Sequence, residues 1–155
     1  MESTKSPLLV MSTFLWIGFV CAISFMEAWL KFQAPGITLP LGLGIGRLVF
    51  EALNKVEWVF ALAIVFCVVR TGYSGFGTGL LMFIIPLLIL IIQSVWLLPA
   101  LDHRAQLHMD GAVVASSYHH IYYVAAETLK VICLLGFGLL LFNSPKKEKV
   151  YGKFN

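Results

Sequence analysis

Apolar residues in this chain come in four blocks, each too long to be a strand or one face of a soluble amphipathic helix. The first begins after Ser6-Pro7, a good cap and first-turn pair, and continues to about Phe32, stopping before Pro35-Gly36. A second starts after Pro40 and reaches Val69, where Arg70 and TGYSGFGTG end it. The third spans about 80–98, with Pro86 as an expected kink and Pro99 near its end. The fourth starts after Asp110-Gly111 and closes at Phe142, ahead of Asn143-Ser144-Pro145. The pattern predicts helices at about 7–33, 41–69, 80–98 and 112–142. At roughly 1.5 Å per residue, about 20 residues cross a ~30 Å hydrocarbon layer.

The expected architecture is therefore all-α: a single transmembrane domain over 1–155, built as an integral membrane four-helix bundle. Composition agrees. Of 155 residues, 59% are hydrophobic and 12% charged, with mean hydropathy +0.89; soluble domains carry about 25% charged residues. The first run is too long for a signal-peptide core and no small-residue cleavage site follows it, so it is expected to remain as a helix. Cys21, Cys67 and Cys133 stand singly in apolar runs and read as small buried hydrophobes.

An even number of crossings puts both termini on one side. Lys5, Arg70 and the lysines of the 143–155 tail (Lys146, Lys147, Lys149, Lys153) share a face; Lys31, Arg47, Lys55 and Arg104 share the other, several beside acids. Positive charge follows the cytoplasm, so both termini are expected there, in a plasma membrane or bacterial inner membrane. The net charge of +3 lies mostly in that tail, which suits anionic lipid. Nucleic acid is excluded as a partner, since no stretch interleaves arginines with aromatics.

Connectivity also sorts the polar residues. Glu27 and Lys31 close the first helix; Arg47, Glu51, Asn54, Lys55 and Glu57 open the second; Gln93 and Ser94 lie near the end of the third; His119 and His120 open the fourth. All fall in the half of the bundle opposite the lysine tail. Helical spacing places His119, Tyr123, Glu127 and Lys130 on one stripe, and Arg47, Glu51, Asn54 and Trp58 on another. An ionisable group inside hydrocarbon costs about 2.5–3.5 kcal/mol unless paired or hydrated. The candidate site is therefore an intramembrane cluster of Glu27, Lys31, Glu51, Asn54, Glu57, Gln93, His119, His120, Tyr123, Glu127 and Lys130, facing inward around a polar cavity.

Three function classes fit such a cluster. One is binding or passage of a small polar solute, ion or proton, with Glu127 switching charge and His120 as its proton partner. Because the cytoplasmic half is apolar, passage would need a conformational change or a homo-oligomer. The second is a membrane enzyme using Glu127 and His120 as acid and base on a lipid-soluble substrate, with or without a metal. The third is a non-catalytic subunit of a larger membrane complex, for which Trp16, Trp29, Trp58, Trp96, Tyr122 and Tyr123 offer an aromatic surface towards lipid or protein. His120 and Glu127 are the candidate metal ligands, but no Glu-x-x-His or His-Glu-x-x-His spacing appears and no cofactor is expected. GLGIGR at 42–47 follows no strand and matches no phosphate-loop spacing; small residues easing close helix contact explain it better.

FLWIGFVCAISF, SVWLLPALDHRA and SSYHHIYYVAAETLKV resemble segments of the small four-helix membrane proteins typified by transmembrane protein 205. The resemblance rests on Trp16 and Phe19 in an aromatic-rich first helix, Trp96, Leu97 and Pro99 at the end of the third, and His120 opening the fourth. That family has serines after the histidine and an asparagine about two turns on; this chain has Ser116 and Ser117 before it, and Glu127 in the asparagine's place. The resemblance implies the four-helix fold and lends no biochemical activity.

Overall fold

The computed structural model describes residues 7–71, 77–112 and 118–143, and the regular elements among them are all helical. Four helices are long and apolar enough to cross a membrane: α1 (Pro7–Gln33), α2 (Leu39–Arg70), α3 (Thr78–Met109) and α4 (His119–Phe142). Each helix packs against the next along the chain, and α4 returns to α1, closing a ring. Phe14 and Phe142 meet with ring centroids 5.9 Å apart, so the start of α1 lies beside the end of α4. The tail lysines and Lys5 lie outside the described residues.

The third helix departs from its predicted boundary. It runs past Pro99 to Met109, eleven residues beyond Leu98. Residues Gln93–Leu97 form a wide π turn, and Pro99 sits in the first turn of the α-helical segment that follows. The helix is continuous there, with the Leu98 N–H bonded to the Gln93 carbonyl in the wide i→i−5 step, and the widened turn carries the chain past a residue that has no N–H to give. The fourth helix begins at His119 instead of 112; residues 113–117 lie outside the described set. A second π turn occupies Cys21–Glu27 of α1.

Toward the termini the described ring interior is apolar apart from Ser12 and Thr13, the latter's hydroxyl donating back to the Leu9 carbonyl at 2.8 Å. Leu9, Ile17, Ile64, Phe83, Phe137 and Leu141 are among its buried members. The outer surface is apolar too: Val69, Val95, Leu48, Val59, Leu62 and Ile132 are all exposed. Cys67 and Cys133 are buried, as expected of small hydrophobes. Cys21 is not; it opens the π turn on the outward face of α1.

Candidate functional site

Midway along the bundle, each helix sends a polar side chain to one point. Lys130 of α4 holds Glu57 of α2 at 2.5 Å and Glu127 of its own helix at 3.2 Å. Trp16 of α1 donates its indole N–H to the same Glu57 oxygen at 2.8 Å, and Gln93 of α3 donates to Glu127 at 2.9 Å. The spacing of Glu127 and Lys130, three residues apart, puts both on the inner stripe of α4. All five residues are at most 1% exposed. A lone ion here would be rejected; mutual pairing and donated hydrogen bonds make burial tolerable.

Both π turns border this network. Ser24 belongs to the one in α1, and Gln93 opens the one in α3. A π turn inserts an extra residue into a helix and redirects the side chains beyond it, which is why such turns recur at functional sites. Tyr123, 2% exposed, faces both Ser24 and Glu127. Among the described residues, Gln93 Oε1 is buried without a hydrogen-bond partner.

The next layer, further from the termini, is neutral. Asn54 Nδ2 and Trp58 Nε1 both donate to Ser94 Oγ, at 2.8 and 3.0 Å, and Ser94 in turn donates to the Leu90 carbonyl at 2.8 Å. Phe50 meets the Tyr123 ring edge-on, with centroids 5.1 Å apart. Above this floor opens a recess of about 490 Å³ between α1, α2, α3 and the start of α4. Its wall carries Lys31, Arg47, Asp102 and His120 among aromatic and aliphatic groups. Arg47 is paired with Asp102 across α2 and α3. Lys31 is paired with Glu27 at 3.2 Å and lies 5.3 Å from the centre of the Phe50 ring. Two glycines shape the space: a Cβ on Gly42 would enter the Phe32 ring, and one on Gly46 would stand 3.0 Å from Lys31 Nζ. The GLGIGR stretch thus lets α1 close tightly on α2.

Of the candidate residues, Glu57, Gln93, Tyr123, Glu127 and Lys130 are brought together in the buried network, Asn54 lies in the layer above it, and Lys31 lines the recess with Glu27 bonded to it. Glu51 touches the recess but is exposed and bonded to Lys55 at 2.7 Å, because its place on α2 faces outward. His119 lies beside Trp96, ring centroids 6.2 Å apart, with its Nδ1 buried and without a partner among the described residues. His120 stands at the recess wall, about 10 Å along the helix from Glu127. Among the described residues, the side chains bonded to Glu127 Oε1 are Gln93 and Lys130, and His120 is not one of them. Among the described residues no three His, Cys, Asp or Glu side chains converge as a metal site would require.

The aromatic surface is also revised. Trp16 and Tyr123 are interior residues and Trp58 is half-buried, whereas Trp29, Trp96 and Tyr122 are each 55% exposed. Trp16 was legible in principle: an indole N–H far from either end of an apolar run needs an acceptor inside. Asp102, the counter-ion of Arg47, was hidden because the third helix was expected to end before it. No family model, no curated protein and no solved structure matches the chain.

Proposed function

We propose that this is an integral membrane protein that binds a small solute with an apolar body and a neutral or zwitterionic polar end, in the recess at the face opposite its termini. The observation that carries this reading is the recess itself. Its volume falls in the range of ligand pockets, and aromatic and aliphatic walls surround a few fixed polar groups. Each cation at its wall is matched by an acid, Lys31 by Glu27 and Arg47 by Asp102, which favours a ligand without net charge. The apolar outer surface supports insertion in a bilayer, with both termini in the cytoplasm by the positive-inside bias. The apolar interior toward the termini closes the far half, so passage of solute to that side requires a conformational change or association of copies. Kinship with the four-helix family of transmembrane protein 205 belongs to the same proposal and rests on Trp96, Leu97, Pro99 and His120.

The test is ligand-induced stabilisation of the purified protein by a panel of neutral, zwitterionic and anionic amphiphiles. At least one neutral or zwitterionic member is expected to raise the unfolding temperature of the parent and to leave Gly46→Leu unmoved. A Cβ at Gly46 already stands 3.0 Å from Lys31 Nζ, so a leucine there projects into the recess and pushes aside the end of the Lys31 side chain. Stabilisation that survives unchanged in Gly46→Leu, or none across the panel, removes the recess as the binding site.

A further inference from the structure

Lys31 ends in a place that suits a ligand's cation as well as its own. Its side chain is 9% exposed, and its ammonium lies at the recess wall between two rings, 5.3 Å from the centre of Phe50 and 5.6 Å from that of Phe32. Glu27, about one helical turn earlier, holds it at 3.2 Å. Aromatic faces joined by a carboxylate are the set that recognises an organic ammonium, because the ring quadrupole attracts a cation that has shed its water. Gly46 keeps the space open, since a Cβ there would stand 3.0 Å from the nitrogen. The protein thus fills a cation subsite with its own side chain.

The other ion pair at the recess is built differently. Arg47 and Asp102 belong to α2 and α3, so parting them breaks an ion pair between helices. Glu27 and Lys31 share α1, and parting them breaks none. Lysine also carries its charge on a flexible stem, whose apolar length can stay on the wall while its end swings away. Glu51 is engaged by Lys55 at 2.7 Å on the exposed side of α2. Lys31–Glu27 is therefore the pair that a ligand opens with least disturbance to the bundle.

A ligand entering this pair must leave neither charge stranded. A neutral head group separates the two ions and compensates neither. A cation satisfies Glu27 and leaves Lys31 unmatched; an anion does the reverse. A zwitterion brings one charge of each sign. We propose that the recess takes a zwitterionic amphiphile: its ammonium enters the place of Lys31 Nζ, between Phe32 and Phe50 and against Glu27, while the displaced lysine meets its anion. The aliphatic wall, with Leu43, Leu98 and Leu101, takes the chain. This assignment rests on the recess being a binding site, and narrows its ligand to one charge class.

The test is stabilisation of the full-length protein, in a maltoside detergent, by four head groups on one hexyl chain: phosphocholine, trimethylammonium, phosphate and glucoside. Hexyl phosphocholine is expected to raise the unfolding temperature of the parent by at least about 3 °C more than any of the others. Lys31→Met leaves Glu27 alone and should make hexyltrimethylammonium the strongest of the four. Glu27→Gln leaves Lys31 alone and should give that place to hexyl phosphate. Phe32→Leu removes one ring and should shrink the advantage of phosphocholine over glucoside. A ranking unchanged in both charge variants, or glucoside as effective as phosphocholine in the parent, overturns the subsite; if that stabilisation is lost in Gly46→Leu, the recess itself still stands. No stabilisation by any of the four, or stabilisation retained in Gly46→Leu, removes recess and subsite together. Phosphocholine without its chain should leave the parent unmoved at the same concentration. Equal stabilisation by it would make the ligand a soluble zwitterion and overturn the amphiphile.

Discussion

Trp16 gives its indole hydrogen to the carboxylate of Glu57, 41 positions later, in a contact that joins α1 to α2 beneath the recess. Hydrogen bonds to charged groups contribute about 1.5–3 kcal/mol. Trp16→Phe keeps an aromatic ring in the core but removes the donor, and is expected to lower stability by that amount. Equilibrium unfolding in detergent measures it; a variant as stable as the parent would mean that Glu57 does not depend on the indole.

Lys130 and Glu57 should show strong energetic coupling. Removing one member of a buried ion pair costs about 3–5 kcal/mol, because the survivor is left charged in a medium that rejects it. Lys130→Met and Glu57→Gln are each expected to fall in that range, and the double variant to lose much less than the two together. A double-mutant cycle reads this directly. Additive losses would mean that the two side chains do not meet.

Sidedness is accessible by labelling. In a background with Cys21, Cys67 and Cys133 replaced by alanine, Gln106→Cys and Thr78→Cys put single thiols on exposed positions at opposite ends of α3. On the proposed insertion, a membrane-impermeant maleimide added to intact cells modifies Gln106→Cys and spares Thr78→Cys until the cells are broken. The reverse pattern would place the termini outside.

Long apolar blocks made the four helices legible, since their length and lack of charge leave few alternatives. Their ends were less so. Pro99 read as a stop, and only the π turn before it shows why α3 continues and carries Asp102 to Arg47. The same physics governs the site. Gathering of Glu57, Gln93, Tyr123, Glu127 and Lys130 followed from connectivity, because separate helices bring their polar ends to one level. The Glu127–Lys130 pair followed from their spacing on one stripe, but the partners chosen across helices did not. A π turn shifts the facing of everything beyond it, so Ser24 and Gln93 could not be aimed by counting in steps of 3.6. His120 was assigned to Glu127 by residue type and proximity in sequence, but two helical turns of separation keep it at the recess wall.

The pairing of Lys130 with a residue 73 positions earlier also bears on how the chain is made. On the proposed insertion, α2 leaves the ribosome bearing Glu57 well before the lysine that will balance it has been synthesised. Until then the acid must stay protonated, stay near the headgroups, or be shielded by the insertion machinery. The last helix has no such difficulty, for it arrives with acid and base on the same stripe. Its docking is the step that locks the earlier three, so truncation before Lys130 should leave a product prone to quality-control degradation even though three hydrophobic segments are complete.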